Sequence, residues 1–192
     1  SQLISNSEGN NTANFSKNYN YFIETSSTVA KPYTFVLKDG NGKQLKELQN
    51  NEAQLEKLQK DNFSVKEFIT IPNEAGDQMN AWIIKPKNFD PNKKYPLFMF
   101  QYSGPGSQQV SNSWDNGNAL WFEMLTQKGY VIACVDGRGT GYKGAKCKKA
   151  TYKNLGKYEI EDQITAAKWF GNQSYIDKSR IGIFGWSFGG YM

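Results

Sequence analysis

Histidine is absent from this 192-residue chain. Cysteine occurs twice, and no apolar stretch approaches the roughly 20 residues needed to cross a bilayer as a helix. Each scarcity excludes something. Two cysteines cannot make a disulfide framework, and without histidine a zinc or other soft-metal site has no ligand set, so no metal or cofactor is expected. Cys134 lies inside the apolar run Tyr130–Val135 and reads as a small buried hydrophobe, whereas Cys147 falls in a lysine-rich loop. Ser1-Gln2-Leu3 opens nothing like a signal peptide. The net charge of +5 is spread along the chain, and the pairs Lys93-Lys94 and Lys148-Lys149 stand apart. That is a solvated surface and not a nucleic-acid footprint.

What the chain does carry is aromatic weight, 15% Phe, Trp and Tyr, which suits a folded protein with β-rich portions. Residues 1–51 read as short strands and turns, the clearest strands being Asn20–Thr25 and Tyr33–Leu37 before the hairpin signal Asp39-Gly40-Asn41-Gly42. A meander of this kind needs a neighbouring sheet to bury its faces. From Glu52 the grammar changes. Ala53–Leu58 predicts a short polar helix, and Val65–Ile71 and Met79–Lys85 predict two strands about the turn Asn73–Asp77. Pro96–Tyr102 and Tyr130–Asp136 are continuous apolar runs, the mark of strands buried on both faces. Between them Trp121, Met124, Leu125 and Lys128 trace one side of a helix stopped by Gly129, and later Ile160, Ile164, Ala167 and Phe170 share a face of a second helix. Strands alternating with helices predict an α/β fold with a mostly parallel, doubly covered sheet.

The last predicted strand, Arg180–Phe184, leads into Gly185-Trp186-Ser187-Phe188-Gly189-Gly190. G-x-S-x-G is the pattern of a nucleophile elbow, a sharp strand-to-helix turn that exposes a serine hydroxyl. At average composition the bare pattern recurs by chance in roughly one chain of this length in fifteen. The buried strand before it and the small residues around Ser187 raise its meaning, because the returning helix passes too close for bulky side chains. A glycine-rich corner without catalysis is the alternative. Acyl transfer also needs donors aimed at the developing oxyanion. One would be the backbone N–H of Phe188; Tyr102, at the end of a buried strand before Ser103-Gly104-Pro105-Gly106, could offer its hydroxyl as a second or simply cap the strand in water. Asp136-Gly137-Arg138-Gly139-Thr140-Gly141 lacks the spacing of a phosphate loop and reads as a strand-exit loop in which Asp136 and Arg138 pair locally. Glu159, Glu161 and Asp162 fit the dipole at a helix N-terminus.

Five motifs stand in order: Lys94-Tyr95-Pro96-Leu97, Tyr102-Ser103-Gly104-Pro105, Asp136–Tyr142, Glu159-Ile160-Glu161-Asp162-Gln163 and Gly185–Tyr191. Together they resemble the dipeptidyl peptidase IV branch of the prolyl oligopeptidase family of serine peptidases. The resemblance implies that residues 1–51 are the last blade of a β-propeller and residues 52–192 the N-terminal part of an α/β-hydrolase domain. It implies Ser187 as nucleophile, Tyr102 as side-chain oxyanion donor, and Phe188 as backbone donor whose ring lines a proline pocket. Its substrates would be peptides with free N-termini, cleaved after a penultimate proline or alanine, without a cofactor. The family's catalytic Asp and His follow the elbow, so these residues are expected to be a piece of a longer chain, inactive alone and only partly able to bury a core. A tripeptidyl or acylaminoacyl peptidase, an esterase of the same fold, and a non-catalytic binding module remain open beside the dipeptidyl reading. The resemblance points to a periplasmic or exported bacterial protein; it leaves oligomeric state open, a homodimer being one form of the parent.

Overall fold

The computed structural model describes residues 4–5, 7–114 and 117–192, so Ser1-Gln2-Leu3 lies outside the described residues. Its contacts divide the chain into two compact units, residues 1–65 with 111–119, and residues 66–110 with 120–192.

The first unit is a four-stranded antiparallel meander in the order β1-β2-β3-β4, with β1 Asn10–Phe15, β2 Tyr21–Thr28, β3 Lys31–Asp39 and β4 Gln44–Gln49. The hairpin at 39–42 closes as its sequence predicts, with Asp39 Oδ1 accepting from the backbone N–H groups of Asn41 and Lys43. Strand β1 is built of asparagine, threonine and alanine, with Phe15 at its end. It holds its place through backbone pairing with β2, while its side chains stay largely exposed. On β2 the period of two buries Phe22, Glu24 and Ser26, so most of that stripe is polar. Glu24 is compensated by Lys38 at 2.7 Å. The helix α1, Glu52–Lys60, buries no residue.

The second unit contains a five-stranded sheet in the order β5-β6-β8-β7-β9, formed by Glu67–Pro72, Gln78–Ile84, Val131–Asp136, Tyr95–Phe100 and Ile176–Phe184 respectively. The sheet is mixed and not mostly parallel: β5 and β6 are a hairpin, β6 runs antiparallel to β8, and only the β8–β7 and β7–β9 pairs are parallel. The tight Asn73–Asp77 turn makes the β5–β6 pair antiparallel, because a short hairpin joins only antiparallel strands. Every residue of β8 is buried, and its alternation divides the core. Val131, Ala133 and Val135 face a cluster with Leu97, Met99 and, from α4 (Lys157–Gly171), Ala166 and Phe170. Ile132 and Cys134 face the opposite cluster with Trp82 and, from α2 (Ala119–Gln127), Phe122. The sheet is thus covered on both sides, and Cys134 is the buried hydrophobe its context predicts.

The helices follow hydrophobic spacing in part: Trp121, Leu125, Ala167 and Phe170 pack on the core as expected, and other positions depart. In α2 the buried residues are Phe122, Glu123 and Thr126, while Met124 is exposed. In α4 they are Glu159, Asp162, Gln163, Ala166 and Phe170, while Ile160 and Ile164 are exposed and line a groove of about 270 Å³ with Ile181, Ile183 and Met192. Inward polar residues have partners outside their helix: Glu123 Oε1 lies 3.3 Å from Lys87 Nζ, and the α4 residues brace loops described below. Cys147 lies in a short helix, α3 (Gly144–Lys149), instead of a loop. One further short element completes the set, α5, which spans Phe188–Tyr191 at the end of β9, and among the described residues no helix is long and apolar enough to cross a membrane.

Candidate active site

Strand β9 ends at Phe184, and the chain reverses into α5 within three residues. Ser187 sits at the reversal with φ 55° and ψ −118°, a conformation that costs a non-glycine residue roughly 1–3 kcal/mol and persists only where its surroundings impose it. The glycines on either side supply that constraint. A Cβ on Gly185 would lie 2.3 Å from the Gly189 carbonyl oxygen, and a Cβ on Gly189 would lie 2.5 Å from the Gln101 carbonyl oxygen. The two limbs of the turn therefore press together, and Ser187 is left exposed at its tip. The Ser187 carbonyl accepts from the N–H groups of Gly190 and Tyr191, which starts the helix. Phe188 is its first residue, a position whose N–H has no intrahelical acceptor.

The facing wall is the segment that leaves β7. The Gln101 N–H donates to the Phe184 carbonyl at 3.0 Å, which carries the β7–β9 ladder to its last rung beside the elbow. Tyr102 follows, half-buried. Its ring folds over Gly104, where a Cβ would lie 2.3 Å from Cε1 of the ring, and Ser103 turns the backbone with φ 58°. The Tyr102 and Phe188 rings stand 6.3 Å apart between centroids. The structure thus brings Ser187, Phe188 and Tyr102 onto one edge of the second unit, from two segments some 85 residues apart in sequence.

Two glutamines bracket Tyr102; Gln163 stands in one of the five motifs without a role of its own, and Gln101 in none. Gln101 is 2% exposed and its Nε2 donates to the Gly189 carbonyl at 2.6 Å. From α4, Gln163 Nε2 donates to Ser103 Oγ at 3.1 Å and to the Val135 carbonyl at 3.0 Å. Gln101 reads as the end of an apolar strand and Gln163 as one polar residue in an acidic helix start, so periodicity passes over both.

The loop after β8 corrects a local expectation. Asp136 and Arg138 do not pair. The Asp136 carboxyl accepts from the backbone N–H groups of Gln109 and Val110, and burial pushes its pKa up from 3.8 to about 6 against the lowering effect of those two bonds. Arg138 reaches instead to α4: its guanidinium lies 2.7 Å from Asp162 Oδ1 and 3.1 Å from Glu161 Oε2, and its backbone N–H donates to Asp162 Oδ2. Glu159 Oε2 accepts from the Gly156 N–H, a side-chain cap on the residue that opens α4. The acidic cluster therefore does more than complement a helix dipole; it fastens the loop after β8 to α4, and burial raises the Glu159 pKa.

An exposed serine on a strained turn, a free helix-start N–H and a neighbouring tyrosine can accept an acyl group and bind its oxyanion, but a hydroxyl nucleophile needs a base. The chain contains no imidazole. Among the described residues no group of three or more Asp, Glu, Cys or His is placed to hold a metal.

Comparison with known proteins gives three concordant findings. Residues 118–192 match the prolyl oligopeptidase family. The chain is 40% identical over 187 residues to dipeptidyl peptidase 4 of Trichophyton tonsurans, covering 94% of this chain and 24% of that protein. It superimposes with a TM-score of 0.90, at 45% identity, on the crystal structure of Porphyromonas gingivalis dipeptidyl peptidase 4, covering 98% of this chain and 26% of that one. A second solved structure, from Bacteroides ovatus, matches with a TM-score of 0.82 at 32% identity over 97% of this chain and 26% of its own. The chain spans about a quarter of the length of these relatives. Its α/β class, with an α/β-hydrolase portion preceded by propeller strands, agrees with both structural matches.

Proposed function

The chain belongs to the prolyl oligopeptidase family, and from that premise we propose that Ser187 is the nucleophile of a serine peptidase that releases dipeptides from free N-termini, with proline or alanine in the penultimate position. The observation that carries this is the strained Ser187, held at φ 55° by contact between the Gly185 and Gly189 limbs and set beside the Tyr102 segment. The Ser187 hydroxyl attacks the scissile carbonyl carbon and passes its proton to a base. The carbonyl oxygen becomes an oxyanion that the Phe188 N–H and the Tyr102 hydroxyl bind. Collapse of this intermediate expels the shortened peptide's amine, which takes up the proton, and water then hydrolyses the ester on Ser187. With no histidine in this sequence, the base and its orienting carboxylate come from another part of the full-length protein.

Residues 1–51 are read as the last blade of a propeller and residues 52–192 as the first part of the peptidase domain. The Phe188 ring, 6.3 Å from Tyr102, is read as a wall of the proline pocket.

A Gly-Pro chromogenic anilide offered to the full-length protein tests this assignment. Turnover that disappears in Ser187→Ala is expected. No turnover of that substrate, combined with cleavage of tripeptidyl, acylated or ester substrates, would move the protein to another activity on the same fold. A full-length protein inert toward all of them would be a binding module.

A further inference from the structure

Gln101 touches the elbow on both sides of Ser187. Ahead of the serine, its backbone N–H donates to the Phe184 carbonyl at 3.0 Å, and its Nε2 occupies the space a Gly185 Cβ would need, 2.7 Å away. Beyond the serine, the same Nε2 donates to the Gly189 carbonyl at 2.6 Å, and the Gln101 carbonyl packs where a Gly189 Cβ would fall. The residue bonded to Gln101 on its C-terminal side is Tyr102. One fully buried side chain therefore ties together the strand that delivers the serine, the helix that follows it and the backbone that carries the tyrosine.

The amide is an expensive way to fill this space. Its Oε1 is buried and makes no hydrogen bond among the described residues, a cost an apolar side chain of the same length would avoid. Only the donor half of the group has a partner, and that partner is the Gly189 carbonyl. A helix carbonyl has a second lone pair, so a side-chain donor can bind it without displacing a backbone bond.

We propose that Gln101 is a positioning residue that sets the Tyr102 hydroxyl in register with Ser187, acting on the reaction through Tyr102. This rests on Ser187 as nucleophile and Tyr102 as oxyanion donor. A donor to the oxyanion works only where it meets the tetrahedral intermediate, so a small rotation of the segment bearing it costs the transition state and spares the bound substrate.

The test is a double-mutant cycle in the full-length protein. Gln101→Met keeps the length of the side chain and removes the donor; it is measured alone and combined with Tyr102→Phe, against a Gly-Pro anilide. Expected for the single variant is a fall in kcat of roughly tenfold to a hundredfold, the penalty of an ångström-scale misplacement, with KM little changed. In the Tyr102→Phe background the same change should cost almost nothing further, because the group it positions is gone. Equal loss in both backgrounds, or unchanged kcat in the single variant, would overturn the proposal. Should Gln101→Met not accumulate as folded protein, Gln101→Leu, also apolar and without a donor, supplies the same cycle. Ser187→Ala separates the two layers: retained turnover sinks the nucleophile reading itself, whereas an inactive Ser187→Ala beside an unimpaired Gln101→Met sinks only the positioning role.

Discussion

Gly189 and Gly190 are neighbours in one motif, yet the structure predicts opposite outcomes when each becomes alanine. A Cβ on Gly189 would stand 2.5 Å from the Gln101 carbonyl oxygen and 3.1 Å from the Tyr102 Cα, both backbone atoms. Cβ contacts under 3.0 Å essentially do not occur, so one backbone must retreat by at least about half an ångström. Either Ser187 or Tyr102 moves with it. Overpacking of this kind costs about 1–3 kcal/mol of stability, and displacement on this scale should lower kcat/KM roughly tenfold or more. At Gly190 the nearest atom to a new Cβ is the Gly185 carbonyl oxygen at 3.4 Å, an ordinary contact, and the residue is exposed. Alanine there should be accommodated, with a gain of up to about 1 kcal/mol from helix propensity. The assay is kcat/KM on a Gly-Pro anilide for the two variants of the full-length protein, with thermal unfolding alongside. Equal impairment of both, or a harmless Gly189→Ala, would refute the idea that contact between Gly189 and the Gln101–Tyr102 backbone sets the elbow.

Tyr102→Phe, which removes one oxyanion donor, should lower kcat by about 10²–10³ at little cost in folding, as read by steady-state kinetics and melting temperature. Asp162→Asn leaves Arg138 without its buried carboxylate partner and should destabilise the protein by about 3–5 kcal/mol in chemical denaturation, whereas breaking the exposed Arg180–Asp177 pair should leave the denaturation midpoint little changed. Asp136, raised to about 6 in the folded protein, binds a proton more tightly there than when unfolded. Its contribution to stability is therefore present below about pH 4 and is lost as pH rises through about 6, a change of order 3 kcal/mol that Asp136→Asn should remove from the pH profile of unfolding.

Part of this was legible because apolar runs often report burial, although the strand before the elbow, expected to be buried, leaves Ile183 and Phe184 exposed. Val131–Val135 and the strand before Gln101 are continuous hydrophobic stretches, and both are central strands of the second sheet. The elbow was legible because steric exclusion leaves only small residues at Gly185 and Gly189. The inward sides of α2 and α4 were legible only in part: Trp121, Leu125, Ala167 and Phe170 pack on the core, but hydrophobic spacing cannot anticipate that Glu123, Glu159, Asp162 and Gln163 are buried against partners. Those partners are set by tertiary contacts, as with Arg138 and Asp162, 24 residues apart. Strand β1 was hidden by its asparagines, because a strand held by backbone pairing with exposed side chains leaves no hydrophobic period to read. Gln101 escaped for a related reason: a lone polar residue at the end of an apolar strand carries no pattern, and only the distance to the Gly189 carbonyl gives it a role.

The central claim is that Ser187 is an activated nucleophile in the full-length protein. Labelling with a fluorophosphonate followed by peptide mass spectrometry tests it most directly. The account predicts stoichiometric phosphonylation on the peptide spanning Gly185–Gly190, at Ser187, with loss of peptidase activity in step. Label carried by another serine, or an active enzyme that leaves Ser187 unmodified, would contradict it.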